Sequence, residues 1–301
     1  MAQQLTANLK GQYKALSDIV ENISPESTPF LSMIGKSTID NVLFYWTEEE
    51  LAAAGSNSAK EGADAKDHVD NVLLEHDNFT QIFTKTVRLS GSAMVTSIAG
   101  QKQKLAHQVE LRAKELKRDQ EFAFLSGQVK TGETASVGRL TASYQAQVDA
   151  GNVIDQASAV ITLDVIDELL TRLFENGATP DYIMCHPRVR NALVKAISQR
   201  DGVLRDVGNG TEIVNDVVRY TSPVGAVDII NNRLAKYDAS TGIGDIYVFD
   251  SSMWELVTLR PYSLNELAKT GDSEARQLLV ECGLKNRSFK SAGLITNVAT
   301  K

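Results

Sequence analysis

The feature that most constrains this chain is the stretch from Asp40 to Gln128, in which an extended ribbon leads directly into an overlong helix. Two strand-like segments, Val42–Trp46 and Phe79–Leu89, are predicted to pair across a long polar connection rich in glycine and alanine. A helical pattern then runs from about Ser92 to Ser126, which at 1.5 Å per residue is roughly 50 Å long. Because an isolated two-stranded ribbon is only marginally stable in water, we expect neighbouring copies of the chain to cover both elements. The pattern therefore predicts an assembly subunit.

Composition excludes several classes of protein. With 43% hydrophobic and 23% charged residues over 301 positions, the chain is ordinary globular material. Its net charge of −7 argues against a dedicated nucleic-acid binder, which would carry a basic patch, but not against a container for nucleic acid. The N-terminus lacks the apolar core of a signal peptide and no run approaches a membrane span, so we expect a soluble protein made in a cytoplasm. Cys185 and Cys282 lie in apolar runs, which favours buried free thiols over a disulfide between them.

Periodicity gives a coarse secondary structure for the first half of the chain. An amphipathic helix is predicted over Tyr13–Ile23, followed by a proline turn and an apolar plug at Ser27–Gly35. Along Phe79–Leu89 the apolar residues Phe79, Phe83, Val87 and Leu89 fall on odd positions and the even positions are mostly threonine, which is typical of a half-buried strand. The long helix carries an apolar stripe interrupted at Lys102 and Gln120, and Gly127 suits its C-terminal cap.

From Thr162 on, the small polar residues give way to patterns that predict alternating helices and strands. A helix is predicted from Thr162 to Glu175, with an inward face of Leu163, Ile166, Leu170 and Phe174. The block 160–260 is expected to be a compact α/β unit with these further elements: a strand Tyr182–Cys185, a helix Pro187–Gln199, a loop Arg200–Gly210, and strands Glu212–Tyr220, Val224–Ile230, Asp245–Val248 and Glu255–Leu259. Beyond it, Pro261–Ala268 and Glu274–Phe289 are predicted to be two long strands that flank a turn-rich tip at Lys269–Ser273.

Catalytic chemistry is poorly represented, and the sequence predicts no catalytic residue, no cofactor site and no metal site. The histidines, His68, His76, His107 and His186, form no ligand pattern, and the adjacent Cys185-His186 pair is a poor chelate. Cys185 beside His186 is the sharpest nucleophile hypothesis, but neighbouring strand residues point to opposite faces, so a structural cysteine is favoured. The glycine-rich run Gly132–Arg139 departs from a phosphate loop in spacing, in its basic residue and in the missing hydroxyl.

Three adjacent aromatic residues, Phe44, Tyr45 and Trp46, would leave one aromatic face of a ribbon strand exposed in a monomer. Exposed apolar patches of this kind usually mark a protein interface. The alternative is that one face packs on the long helix and the other is tolerated in solvent. We favour the interface.

Several runs resemble, in the same order, the major capsid (head) proteins of tailed bacteriophages that have the Hong Kong 97-type fold. They span nearly the whole chain: Ile23–Gly35 (ISPESTPFLSMIG), Asn78–Phe83 (NFTQIF), Lys114–Ala123 (KELKRDQEFA), Leu259–Tyr262 (LRPY), Leu267–Ser273 (LAKTGDS) and Arg276–Glu281 (RQLLVE). None of them is a catalytic signature, so the resemblance rests on their length and co-linearity.

The resemblance implies an α+β subunit with five parts. They are an N-terminal arm (1–39), an extended β-hairpin loop (40–91), a long spine helix with the first part of a peripheral domain (92–159), an axial domain (160–260) and the completion of the peripheral domain (261–301). By the same likeness, axial domains meet at the centre of each pentamer or hexamer, where the loop Arg200–Gly210 is a candidate. The extended loop lies over a neighbouring subunit, and the peripheral tip meets other capsomers.

The function implied is a major capsid protein that self-assembles as pentamers and hexamers into the icosahedral shell of a virion, assembled in the host bacterial cytoplasm around double-stranded DNA. The partners implied are further copies of the chain, a scaffolding protein, a portal and, left open, a decoration protein, with no membrane and no sequence-specific DNA binding. The residues predicted to contact neighbouring subunits are Thr28, Pro29 and Phe30 in the arm, Phe44, Trp46, Phe79, Phe83 and Arg88 in the extended loop, and Lys269, Gly271 and Asp272 at the tip.

Two departures limit what the resemblance implies. Some relatives carry a fused N-terminal scaffolding segment for which this chain has no room, so a separate scaffold or a cleaved precursor is expected. Some relatives also cross-link a loop lysine to a neighbouring asparagine; Lys60 and Lys66 lie in the loop, but no matching partner is evident. Two other functions stay open: the shell subunit of a cellular nanocompartment with the same fold, and a small α/β enzyme dimerised by the arm. A polar pocket with perturbed titratable groups would favour the enzyme.

Overall fold

Two β-sheets and a separate hairpin organise the chain into an α+β fold. The computed structural model describes residues 27–52, 54–62, 64, 71, 73–96, 104–200, 219–269 and 271–300. The helices are α1 (Pro29–Met33), α2 (Gly91–Val95), α3 (Lys104–Leu125), α4 (Leu163–Glu175) and α5 (Pro187–Arg200). The strands are β1 (Gly35–Thr38), β2 (Leu43–Glu49), β3 (Leu73–Phe79), β4 (Gln81–Ser90), β5 (Val153–Asp155), β6 (Tyr182–Cys185), β7 (Arg219–Thr221), β8 (Ala226–Asn231), β9 (Tyr237–Asp238), β10 (Ile243–Phe249), β11 (Trp254–Glu266), β12 (Ser273–Asn286) and β13 (Gly293–Ala299).

A seven-stranded sheet forms the first unit, with the order β5-β13-β10-β6-β8-β7 and β9 paired to β10. Its central strand β10 is buried along almost its whole length, as expected for a strand covered on both faces. The helices α4 and α5 contribute the apolar residues predicted for them, including Leu163, Ile166 and Leu170. Phe174 is an exception: it was predicted to face inward but is 56% exposed, because the last turn of α4 lines an open cavity beside the turn at 222–225.

A four-stranded sheet with the order β1-β11-β12-β4 forms the second unit. Its long hairpin, β11 and β12, confirms the two long strands predicted around the tip. Helix α3 packs against β4 and β12. The alternation predicted for β4 is also confirmed, since Phe83 and Val87 are buried while Thr84, Thr86 and Arg88 are exposed.

The single helix predicted over 92–126 is wrong at its N-terminal end. The chain makes a short helix, α2, which stops at Val95, and Thr96 has extended backbone angles. The main helix α3 spans 22 residues from Lys104 and is about 33 Å long. The stop coincides with the run Val95-Thr96-Ser97-Ile98, where β-branched residues lose side-chain freedom in a helix.

The predicted pairing of the ribbon is also wrong. Strand β2 pairs in antiparallel register with β3, from Leu43 opposite Phe79 to Glu49 opposite Leu73. Strand β4, which was predicted to be its partner, instead pairs with β12 over its full length. The alternation of β4 identified its buried face but carried no information about which strand lies beside it.

The largest apolar cluster lies where the two sheets meet. It combines Phe83 and Val280 of the four-stranded sheet with Tyr247 and Phe249 of the seven-stranded sheet, and with Phe124 near the end of α3. Cys185 and Cys282 are buried free thiols, as predicted. The predictions for the helix Tyr13–Ile23 and the loop Arg200–Gly210 concern residues outside the described ranges, except for Arg200 at the end of α5.

Candidate assembly surfaces

The N-terminal segment is seated at the meeting point of the two sheets. The ring of Phe30 is fully buried and lies edge-on to Phe249 and Trp254, with ring centroids 5.4 Å and 5.8 Å away. Thr28, which precedes α1, and Pro29, its first residue, are half-buried. The side chain of Phe30 therefore belongs to the subunit's own core, and its contact with a neighbour stays a prediction.

The carboxylate of Glu121, on α3, holds this segment through hydrogen bonds. Glu121 is fully buried; its Oε1 accepts hydrogen bonds from the backbone N–H of Phe30 (2.9 Å) and from Nδ2 of Asn232 (2.6 Å), and its Oε2 accepts one from the N–H of Leu31 (2.9 Å). Burial raises the pKa of Glu121, and these hydrogen bonds offset part of the rise. One side chain thus touches the N-terminal segment, α3 and the seven-stranded sheet.

The root of the β2–β3 hairpin is packed into the subunit. Phe44 and Trp46 stack with ring centroids 5.7 Å apart and form a small apolar cluster with Val257. Phe44 approaches β12 so closely that a Cβ added at Gly283 would lie 2.9 Å from its ring. Both aromatic residues are covered within the chain, and their contacts with a neighbour stay predictions. They fix the direction in which the hairpin leaves the subunit.

A buried amide at the end of β3 completes this root. Nδ2 of Asn78 donates to Thr141 Oγ1 (3.1 Å) and to the carbonyl of Leu284 (2.6 Å), and its Oδ1 accepts from the N–H groups of Phe79 and Ala142, both at 2.8 Å. All four hydrogen bonds of a primary amide are therefore made. Phe79 itself is half-buried. The root is held to the subunit on both strands, through aromatic packing on one and this amide on the other.

The outer part of the hairpin, by which we mean the face opposite Phe44 and Trp46 together with the end around Leu73 and Leu74, is different because its apolar side chains are uncovered. Tyr45 is 58% exposed, Leu73 62% and Leu74 41%. The register and the alternation of strand residues place Tyr45 and Leu73 on one face, opposite to that of Phe44 and Trp46. Glutamate side chains at positions 48, 49, 50 and 75 surround this end, and Glu48 lies 3.0 Å from His76 Nε2. This part of the hairpin therefore combines apolar side chains that the single chain leaves uncovered with acidic neighbours.

The tip of the β11–β12 hairpin is polar and exposed. Lys269, Gly271 and Asp272 are all exposed, and Gly271 has the positive φ of 81° that favours glycine. The Asp272 carbonyl accepts a hydrogen bond from the N–H of Gly91 (3.2 Å), and a Cβ at Gly91 would overlap the Asp272 carboxylate. The tip is therefore attached to the start of α2. Arg88, on the adjacent strand, is also exposed and its Nε donates to Ser273 Oγ (3.1 Å).

Further along β12, at Glu281, a buried ionic cluster links neighbouring strands. Glu281 is 2% exposed and accepts hydrogen bonds from Thr80 Oγ1 (2.8 Å), an Arg139 N–H (2.7 Å) and Arg260 Nε (2.6 Å). Burial acts to raise the pKa of Glu281, but the hydrogen bonds from Thr80 and Arg260 and the two guanidinium charges outweigh it, so its pKa is lowered. The cluster joins β11 and β12 to the residues that follow β3.

The predicted contact residues thus fall into two groups. Phe83, like the three aromatic residues above, is buried in the subunit's own core, and its contact with a neighbour stays a prediction. The remaining seven keep exposed or half-buried surface: Thr28, Pro29, Phe79, Arg88, Lys269, Gly271 and Asp272. Sequence reasoning missed Glu121, Asn78 and Glu281. Their common signal is a polar residue inside an apolar pattern, as in Leu278-Leu279-Val280-Glu281-Cys282.

Within the described ranges, no three His, Cys, Asp or Glu side chains are grouped so that they could hold a metal ion. The helices of the same ranges include none that is both long and apolar enough to span a membrane. Cys185, the sharpest nucleophile hypothesis, is fully buried, and burial raises its pKa to about 12. Its thiolate is therefore strongly disfavoured at neutral pH.

Comparison with known proteins identifies the family. The family model of the SU10 major capsid protein matches residues 2–299. The chain belongs to this family. A curated relative, the major capsid protein of Escherichia phage Phieco32, is 28% identical over 342 residues, which cover 97% of this chain and 96% of the relative. The prediction of a tailed-phage major capsid protein, a component of the virion, is confirmed.

Solved structures agree on the fold. The capsid of a native GTA particle matches with a TM-score of 0.72 at 13% identity, covering 99% of this chain and all of the other. The holo-SrpI encapsulin complex from Synechococcus elongatus PCC 7942 matches with a TM-score of 0.65 at 12% identity, covering all of this chain and 98% of the other. Such low identities speak for the fold alone, which is the Hong Kong 97-type capsid fold predicted above.

Proposed function

We propose that this capsid protein assembles as pentamers and hexamers into the icosahedral head shell of a tailed phage and encloses double-stranded DNA. The observation that carries the proposal is the match of a major capsid family to nearly the whole chain. Shell formation from many copies follows from that membership. The capsomer types, the enclosed DNA and assembly in the host bacterial cytoplasm are the proposed details.

The proposed mechanism is mechanical. Closed point-group symmetry lets every copy use the same surfaces, and many weak contacts acting together give a stable shell. The outer hairpin, with Tyr45, Leu73 and Leu74 uncovered, is the apolar surface that we assign to a neighbouring subunit. The tip around Lys269 and Asp272, together with Arg88, is the polar surface that we assign to a second contact.

The parts of the subunit are assigned by the same reasoning. We take the seven-stranded sheet with α4 and α5 as the axial domain, the four-stranded sheet with α3 as the peripheral domain, and β2–β3 as the extended loop. Relative to the ranges predicted from the sequence, we add β5 and β13 to the axial domain (160–260) and move β4 from the extended loop (40–91) to the peripheral domain. Scaffolding, portal and decoration proteins are proposed partners, and DNA is proposed to be held without sequence-specific contacts. We propose no enzymatic activity for the chain, since the buried polar side chains of Glu121, Asn78 and Glu281 are engaged in structural hydrogen bonds.

A second candidate function is supported by the encapsulin match. A shell subunit of a cellular nanocompartment would share this fold and enclose a protein cargo. The family match and the phage relative favour the phage head, because they are matches of the sequence, with the relative at 28% identity, whereas the encapsulin match at 12% identity speaks for the fold alone. The two functions differ in what the shell contains.

The experiment that tests the proposal is electron microscopy of sedimented particles after expression of the chain with and without its neighbouring genes. Closed shells tens of nanometres across are expected in the presence of a scaffold. Particles from the natural source should then be treated with nuclease before and after disruption. DNA protected only in intact particles supports the phage head; a protein cargo without DNA supports the nanocompartment. A uniform monomer or dimer under all conditions would overturn both.

A further inference from the structure

The segment around α1 occupies the place where the chain crosses between the two sheets. Strand β10 ends at Phe249 and β11 begins at Trp254, so only residues 250–253 connect the seven-stranded to the four-stranded sheet at this point. The ring of Phe30 packs against both of these end residues and also against Tyr144, at 6.1 Å between centroids. The side chain of Phe30, from the N-terminal segment, therefore packs beside the connection between the two sheets.

The hydrogen bonds of Glu121 join the same three parts. The N–H groups of Phe30 and Leu31 belong to the first turn of α1, where backbone donors have no partner within the helix. Asn232 lies one residue beyond β8 and is fixed to the seven-stranded sheet, because its N–H donates to the Cys185 carbonyl (2.9 Å). Its Oδ1 accepts from the N–H of Leu234 (2.8 Å), which orients Nδ2 toward Glu121. Glu121 itself is carried by α3, which packs on the four-stranded sheet.

We propose that α1 is a plug that fixes the orientation of the two sheets relative to each other, and that Glu121 is the positioning residue that holds the plug in place. Its carboxylate faces three donors, and the hydrogen bonds from Phe30 and Asn232 converge on the same oxygen. Oε1 of Glu121 therefore couples two arrangements: the docking of the N-terminal segment, and the position of the seven-stranded sheet against α3. This inference concerns the shape of the single subunit and does not rest on the proposed shell.

The replacement Glu121→Gln isolates this role because it preserves size and removes one acceptor. The glutamine NH₂ would face a backbone N–H, so at least one of the three hydrogen bonds must be lost. The control is Glu115→Gln on the same helix, which makes the same chemical change at a partly exposed carboxylate paired with Lys85 and Arg112. A second variant, Phe30→Ala, removes the ring of the plug and leaves the carboxylate intact.

Two measurements on the full chain test the proposal. Hydrogen exchange of the amides of Phe30 and Leu31 should become at least tenfold faster in Glu121→Gln and remain unchanged in Glu115→Gln. The distribution of distances between spin labels at Ala268→Cys and Glu175→Cys should broaden in Glu121→Gln and in Phe30→Ala. Both positions are exposed; the first lies just beyond β11 of the four-stranded sheet and the second at the end of α4, which packs on the seven-stranded sheet. The native thiols are buried and are not expected to take the label.

Each readout can overturn one part. Unchanged exchange at Phe30 and Leu31 in Glu121→Gln would show that the carboxylate does not position the plug. Faster exchange without any broadening of the distances, in either variant, would show that the plug does not fix the orientation of the sheets. If Glu121→Gln does not fold, Phe30→Ala decides the second point alone, and a narrow distribution there rejects the plug.

Discussion

At the scale of single residues, the polar groups that matter most are those that the fold has removed from water. Glu281 is the clearest case, because a nearly fully buried carboxylate is retained beside two arginines. Removing one member of a buried ion pair usually costs about 3–5 kcal/mol, since the remaining charge loses its partner. Arg260 is half exposed and can turn to solvent, so the loss here should be smaller.

We predict that Glu281→Gln lowers the free energy of unfolding by about 2 kcal/mol at pH 7. The pKa of Glu281 is lower in the folded chain than in the unfolded chain, so its stabilisation is fully present above about pH 5 and is lost as the pH falls through the folded-state value. Urea unfolding of the two proteins from pH 7 to pH 3 should therefore show a difference that shrinks in acid.

The control for this prediction is Glu133→Gln. The Glu133 carboxylate is 60% exposed and pairs with the same Arg139, so its loss should change stability by less than about 0.5 kcal/mol. A difference for Glu281→Gln that stayed constant down to pH 3 would contradict the assignment of the effect to the ionised carboxylate.

The two thiols give a second prediction at this scale. Burial raises the pKa of both Cys185 and Cys282 to about 12, with the thiolate as the reactive form. At pH 8 the native chain should react with a disulfide reagent roughly a thousandfold more slowly than the denatured chain, which should yield two equivalents of released thiolate. A fast phase of one equivalent in the native chain would mean that one thiol is reachable through local opening.

The sequence predicted the burial of many single residues but few of the contacts between residues that are distant along the chain. The burial of Cys185, Phe83 and Val87 follows from local apolar patterns. The partners of Glu121 lie 90 and 111 positions away along the chain, so periodicity carries no trace of them. The same applies to the aromatic residues of the hairpin root, whose clustering indicated an interface although the covering surface belongs to the same chain.

At the scale of elements, the hairpin β2–β3 depends on a glycine in a strand to which it is not paired. Gly283 opposes Val257 in the four-stranded sheet, and the ring of Phe44 lies over it. A methyl group there would come within 3.1 Å of the Phe79 carbonyl as well as 2.9 Å from the ring. Since overpacking of this kind costs about 1–3 kcal/mol, the hairpin root would have to shift.

We predict that Gly283→Ala lowers the free energy of unfolding by about 2 kcal/mol and increases hydrogen exchange in β2 and β3. The reason is steric, so the additional change Phe44→Leu should recover part of the loss. Gly138→Ala is the matched control, because an added Cβ there meets nothing within 4 Å, and it should be neutral within about 0.5 kcal/mol. Equal effects of the two alanine variants on the free energy of unfolding would show that the packing of the Phe44 ring does not require a glycine at position 283.

The elements also show which features the sequence could predict, namely local bounds, and which it could not, namely the pairing of strands. The helices α4 and α5 and the strand Tyr182–Cys185 are local structures, and their predicted bounds agree with the observed ones to within one residue. The partner of β2 is a non-local property, since an alternating pattern is compatible with any neighbour of suitable length. The break after Val95 was missed because the apolar stripe continues across it in the sequence.

At the scale of the whole molecule, the hairpin divides into a root that the subunit covers and an outer part that it does not. Tyr45 and Leu73 share the uncovered face, and full burial of a large apolar side chain contributes about 1.5–3 kcal/mol. In a shell this contribution is repeated in every copy. A loss of about 2.8 kcal/mol per subunit would raise the concentration required for assembly roughly a hundredfold.

We therefore predict that the double variant Tyr45→Ser, Leu73→Ser folds with nearly unchanged stability but forms few or no shells at concentrations where the parent chain assembles. Urea unfolding measures the first part, and sedimentation with electron microscopy measures the second. Val129→Ser is the control, because Val129 is an equally exposed apolar residue, at 66%, outside the hairpin. Normal shells from the double variant would remove the hairpin from the assembly contacts, whereas loss of folding would place these side chains in the subunit's own core. Shells lost only in the double variant would locate the apolar contact between subunits on the outer face of this hairpin.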